Sequence, residues 1–187
     1  SPVLAYVPDD ADLAFLIRVA SLNQTELGRK LASAETGLYG RFQKNLPKGI
    51  DFQKNVAAAA YVVETVWEDG RFAAIRAGMA FEMTRDVQAA DLLPDLVEAP
   101  AVAGMDAQPY RFGEDSVLVV ASPRLVLLAT RDGRETRDYL PQMLNASRLV
   151  AGAPAGPLPV AALAAPGHIT LAARVSPAVK DAFITEY

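Results

Sequence analysis

Asp12-Leu-Ala-Phe-Leu-Ile-Arg-Val19 returns near the other end of the chain as His168-Ile-Thr-Leu-Ala-Ala-Arg-Val175, and the reading of the fold turns on that return. Each copy follows a proline-containing lead-in, Val7-Pro8-Asp9 and Ala165-Pro166-Gly167, and each runs into a helix-start signal. Residues 12–20 are nearly all apolar, the pattern of a strand buried on both faces. A strand that reopens after a full βα succession predicts one complete unit followed by the opening of a second. The predicted boundaries are residues 1–150 for an α+β unit, 151–167 for an Ala/Pro/Gly-rich connection, and 168–187 for the opening strand and helix of a second related unit.

Working outward from the first copy, Ser21 with Gln24 three residues on predicts a capped helix, with Leu27 and Leu31 on one face. Residues 29–54 are polar and irregular and read as a long connection. Residues 55–66 and 71–82 are two β-rich runs joined by Glu68-Asp69-Gly70, a hairpin signal because both central turn positions must accept positive φ. Asp86 starts a second helix that carries Val87, Ala90, Leu93 and Val97 inward and that Pro94 shortens or kinks. Strands over 109–112, 116–121 and 124–130 follow, separated by Gly113-Glu114-Asp115 and Ser122-Pro123. Asp132 caps a third helix with Thr136, Leu140 and Met143 on one face, and Ser176-Pro177 starts a fourth. The expected fold is therefore α+β, an antiparallel sheet with helices on one face. It is built as a split-βαβ (ferredoxin-like) unit with an extra hairpin, followed by the start of a second repeat unit. Val117-Leu-Val-Val120 is apolar on both sides, so the remaining face also needs cover, and a second copy of the unit would supply it.

Composition narrows the chemistry more than any motif does. Half of the 187 residues are hydrophobic and a fifth are charged, which is globular composition, and the net charge of −4 argues against the whole chain gripping a polyanion. Nucleic acid is accordingly not an expected partner. Cysteine is absent, which removes disulfides, thiolate catalysis and Cys-ligated zinc together. His168 is the single histidine, so neither a His-based metal centre nor a Ser-His site can be assembled from two of them, and no Gly-x-Ser-x-Gly or Ser-x-x-Lys is present. No glycine-rich loop leads from a strand into a helix with a lysine, so no phosphate-cradling loop is expected. No cofactor, metal or catalytic residue is assigned. Residues 156–173 come nearest to a membrane span, but Pro157, Pro159, Pro166 and His168 interrupt a run that needs roughly 20 apolar residues. Ser1-Pro2 carries no initiator Met, which leaves a removed signal peptide and a trimmed start as alternatives.

Two clusters carry what chemistry remains. Asp9, Asp10 and Asp12 form the densest carboxylate group and would serve a carboxylate-dependent hydrolase or hold calcium through oxygen ligands. The plainer reading is a polar turn that keeps its acids in solvent, since the glycine and distal Glu of a calcium loop are missing. Arg29, Lys30, Arg41, Lys44, Lys48 and Lys54 fall between residues 29 and 54 against only Glu35 and Asp51, with Tyr39, Phe42 and Phe52 interleaved. That segment is the candidate for binding an anionic ligand, set against the ordinary fate of a charge run as a solvated loop.

Four short pieces, Tyr6-Val-Pro-Asp-Asp-Ala-Asp-Leu13, Gly49-Ile-Asp-Phe-Gln-Lys-Asn-Val56, Ile75-Arg-Ala-Gly-Met-Ala-Phe81 and Arg111-Phe-Gly-Glu-Asp115, occur in an order that resembles a loosely defined group of uncharacterised bacterial envelope proteins, best represented in planctomycetes and myxobacteria. The third piece departs from the group's Arg-Gly-x-Phe step. The resemblance covers roughly residues 5–145. It implies an extracytoplasmic α+β protein, secreted or lipid-anchored, with tandem units, and it brings no catalytic residues to transfer. With no transmembrane segment, peripheral lipid anchoring is compatible with it. The function expected from all this is a non-catalytic binding or assembly module whose partner is another protein or a second copy. A carboxylate-dependent hydrolase and an anionic-ligand binder working through residues 29–54 are the alternatives.

Overall fold

Asp69 adopts φ = 50°, the left-handed conformation that the Asp-Gly turn requires, and the two longest strands of the protein run away from it. The computed structural model describes residues 2–8, 11–33, 43–44, 46–69, 71–101, 106–113, 116–130, 143, 163 and 166–173. In chain order these form a 3-10 helix, Pro2–Tyr6; β1, Leu13–Ile17; α1, Val19–Leu22; α2, Glu26–Ser33; β2, Val56–Glu68; β3, Arg71–Met83; α3, Ala89–Leu92; β4, Pro109–Phe112; β5, Ser116–Ser122; β6, Leu125–Thr130; and β7, Ile169–Ala173. The expected helix openings at Asp132 and Ser176, and most of the 151–167 connection, lie outside the described residues.

The molecule is α+β with one seven-stranded sheet, ordered β4-β5-β6-β3-β2-β1-β7, in which every neighbouring pair is antiparallel. Its strand order is not that of a split βαβ unit. Two meanders, β1-β2-β3 and β4-β5-β6, join through β3 and β6, so β1 lies directly beside β2. The hairpin explains this. β2 and β3 pair along almost their whole length, which leaves one outer side each, taken by β1 and β6. β7 then closes the row against β1, with Leu13 opposite Ala173, Phe15 opposite Leu171 and Ile17 opposite Ile169. The returning strand thus belongs to the sheet of residues 1–150.

Helical elements cover both faces rather than one. Val3 of the 3-10 helix and Val7 just after it, with the helical Met143 and Leu163, bury Ala14, Leu16, Ala60, Ala80, Val117, Val119 and Leu127 on the first face. One register row there, Val119-Leu127-Ala80-Ala60-Leu16, is fully buried strand by strand. The cover that Val117 and Val119 require comes from the chain itself. On the second face α1, α3 and the turn residues Leu46, Ile50 and Phe52 close over Phe81, Met83, Leu118, Val126 and Leu128. Burial of this kind, roughly 25 cal/mol per Å² of apolar surface, is the main favourable term in the fold.

Local signals fared unevenly. Thr25, not Ser21, caps the helix, because α1 occupies residues 19–22 and a new helix begins at Glu26. The Thr25 hydroxyl accepts from Gly28 N at 3.0 Å and donates to Leu22 O at 2.7 Å. Leu31 packs on the core while Leu27 is exposed, so the two do not share a buried face. α3 is a single turn: Asp91 Oδ2 accepts from Gln88 N at 2.8 Å at its start and Pro94 follows its end. Val87 and Leu93 are buried there, but Ala90 and Val97 are exposed.

Candidate functional site

The sheet has two outer edges, and they are finished differently. At β4 the segment 97–99 occupies the edge: Ala99 N donates to Pro109 O at 2.9 Å, Arg111 N donates to Val97 O at 2.7 Å, and Glu98 bridges to Tyr110. Pro109 has no N–H to offer. An edge so covered cannot template another strand. At β7 the described residues supply a partner on one side only, β1.

Which backbone groups face outward at β7 follows from the register. Arg18 N donates to His168 O at 2.8 Å, so alternate residues from 168 onward, Thr170 and Ala172, turn their N–H and C=O groups toward β1. Ile169, Leu171 and Ala173 turn theirs away from it. Their side chains point to the second face, where Leu171 is 62% and Ile169 45% exposed. β7 carries no charged residue and no proline, the two common devices for blunting an edge.

A row of opposed side chains runs across all seven strands on that face: Tyr110, Leu118, Leu128, Met79, Tyr61, Phe15, Leu171. Leu118 and Leu128 are buried, Met79, Tyr61 and Phe15 are half-buried, and Leu171 is exposed. The cover therefore thins toward β7. The Phe15 and Tyr61 rings meet with centroids 5.0 Å apart, and burial pushes the Tyr61 phenol above its ordinary value. The edge is apolar, and its side chains continue the row that begins in the core.

Arg18, the residue that follows β1, holds β7 in place. Its Nη1 donates to Gly167 O and, at 3.3 Å, to Thr170 Oγ1, and its Nη2 donates to Leu163 O at 3.2 Å. Ser21 Oγ lies 3.0 Å from His168 Nδ1. One guanidinium thus ties three points of the returning chain to the end of β1, geometry that a fixed fork of donors suits.

The acids and cations singled out by sequence are placed differently. Asp12 Oδ2 accepts from Thr65 N at 2.8 Å and from Thr65 Oγ1 at 2.5 Å, which ties the start of β1 to β2. Asp9 and Asp10 lie outside the described residues, as does Arg41. Arg29 and Lys30 are exposed on α2, with Lys30 paired to Glu26 at 2.8 Å, and Lys44 is exposed on a short helical piece. Among the described residues of that set, Lys48 and Lys54 line a common depression. They share this depression, of about 430 Å³, with Arg85, a residue outside the basic run that no motif singled out. Asp51 and Asp91 line the same depression, and Lys54 pairs with Asp51 at 3.2 Å, so the cations there are largely offset. Among the described residues no three His, Cys, Asp or Glu side chains converge as a metal site, and no helix is long and apolar enough to cross a membrane.

No family model matches the chain, and no curated protein matches it. Solved structures do: crystal forms III, IV and I of TP0453 align over 81% of this chain at 15%, 15% and 16% identity, with TM-scores of 0.44, 0.45 and 0.46. The alignments take in 52%, 53% and 51% of those chains, so this chain spans about half the length of the structures it matches.

Proposed function

We propose that this chain is a non-catalytic assembly module that joins another polypeptide, a protein partner or a second copy, by strand addition at β7. The observation that carries the reading is the contrast between the two sheet edges: β4 is occupied by residues 97–99, while β7 offers outward backbone groups and the exposed side chains of Ile169 and Leu171. Strand addition draws affinity from main-chain hydrogen bonds and specificity from alternate side chains, and β7 supplies both. An extracytoplasmic setting, secreted or lipid-anchored, belongs to the same proposal and is supported by the motif resemblance over residues 5–145.

Static light scattering across a wide concentration range tests the reading, with Leu171→Pro as the control. Proline at 171 removes an outward N–H together with the exposed leucine side chain, and leaves the hydrogen bonds to β1 intact, as proline on an edge strand does. The wild-type chain is expected to gain mass with concentration and the variant to remain monomeric. A wild-type chain that is monomeric throughout and indistinguishable from the variant contradicts the assembly role.

A further inference from the structure

We infer that the partner is a second copy of this chain, its β7 lying antiparallel to the first across a two-fold axis at Leu171. This rests on the reading that β7 is the assembly edge and specifies what occupies it. Three observations carry it.

The first is that the fold already contains such a pair. β1 and β7 are the two like strands of the sequence, with Leu13 corresponding to Ile169, Phe15 to Leu171 and Ile17 to Ala173. They lie antiparallel in the sheet with Phe15 opposite Leu171, its own counterpart in the repeat. A local two-fold axis therefore passes through that pair. A second β7 set antiparallel about the same central residue, on the outer side, places Leu171 opposite Leu171, as a hydrogen-bonded pair where Phe15 and Leu171 form a non-hydrogen-bonded one.

The second is register. Leu171 is the centre of the strand Ile169–Ala173, and the arrangement about it sets 169 against 173, 170 against 172 and 171 against itself. It is the one antiparallel self-pairing that leaves no residue of β7 unopposed. Leu171 is among the outward-facing residues, so the axis falls on a mutual N–H to C=O pair, as an isologous two-fold contact requires.

The third is the character of the surfaces. Pairing about Leu171 keeps Ile169, Leu171 and Ala173 of both copies on one face, where the seven-residue row from Tyr110 to Leu171 continues into its twin. The most exposed member of that row becomes an interior one. No charge opposes a like charge, because β7 has none.

The chain has no cysteine, so single introduced thiols report this contact without background. Leu171→Cys and Ile169→Cys are compared under mild oxidation. Opposed residues in a hydrogen-bonded pair have Cα atoms about 5.5 Å apart, within disulfide reach, whereas residue 169 and its twin are four residues of strand apart, roughly 13 Å, which is beyond it. The expected result is a covalent dimer for Leu171→Cys, lost when Leu171→Cys is diluted below the association range, with Ile169→Cys remaining monomeric. Equal cross-linking at both positions indicates a parallel pairing and overturns the inference. Cross-linking at 169 alone, or at neither, also overturns it. If light scattering then still shows association that Leu171→Pro abolishes, the assembly role stands and only the two-fold arrangement falls.

Discussion

Phe81→Ala is expected to lower the stability of the chain by about 3–5 kcal/mol. Phe81 is fully buried on the second sheet face, opposite Ala59 on β2 and Val126 on β6, and its ring meets Phe52 edge to face with centroids 6.0 Å apart. Phe52 comes from the turn that precedes β2, so this contact fastens the covering layer to the middle of the sheet. Truncation removes the transfer energy of a whole ring and leaves a cavity beneath a turn that hydrogen bonds hold in place: Ile50 N donates to Pro47 O at 2.9 Å and the Asn55 side chain, through Nδ2, to Gly49 O at 2.7 Å. A domain of ordinary stability, about 5–15 kcal/mol, loses a large share of it. Urea unfolding should show the midpoint falling with the slope unchanged. A loss below about 1 kcal/mol would mean that Phe52 and its neighbours collapse into the space, and that the second layer is not held as described.

Gly49→Ala is the second large effect. A Cβ built on Gly49 falls 2.1 Å from Asp91 O and 2.5 Å from Leu92 Cα, and both are backbone atoms of α3. No side chain can swing aside to make room. The turn must move away from α3, which stretches the Gly49 N to Leu92 O hydrogen bond of 3.3 Å and opens the depression shared by Lys48, Lys54 and Arg85. Overpacking of this kind costs about 1–3 kcal/mol. In a chain of this length that is a melting temperature lower by roughly 2–12 °C. The site lies on the covering layer and not on β7, so association measured by light scattering should be unchanged. An unaltered melting temperature would show that the close approach of residue 49 to α3 is wrong.

These two positions also show what the sequence could and could not disclose. Punctuation was legible. Asp69-Gly70, Gly113 and Ser122-Pro123 each mark a turn because few residue types accept those backbone conformations, and the strands they bound came out within a residue or two. The returning strand was legible because its apolar run repeats the first. Neighbourhood was not legible. Alternation and turn residues say where strands begin and end, not which strands pair, so β1 beside β2 and the join of β3 to β6 had to be seen in three dimensions. Gly49 looked like an ordinary loop glycine for the same reason, since the backbone it must admit is 42 residues away in sequence.

The site was legible only in part. The residue that anchors β7, Arg18, was visible as part of the repeat, but its role depends on Gly167, Thr170 and Leu163 converging on it. The basic run was legible as charge density but not as a site, because spacing along a chain does not fix direction: Lys48 and Lys54 line a depression with Arg85, which follows β3, and Arg29 and Lys30, exposed on α2, do not line it. Asp12 resembled a candidate catalytic acid by its neighbours in sequence, and its neighbour in space, Thr65, makes it a fastening between two strands.

The central claim is that residues 169–173 form a strand whose inner groups are held by β1 and whose outer groups are the assembly surface. Amide hydrogen exchange resolved by residue addresses it most directly, because neighbouring amides on one strand face opposite ways. In dilute, monomeric protein the Thr170 and Ala172 amides should exchange slowly and those of Ile169, Leu171 and Ala173 quickly. At concentrations where mass increases, the second set should slow while the first is unchanged. Five amides that are all slow in the monomer, or an outer set that stays fast in the assembled state, would contradict the account.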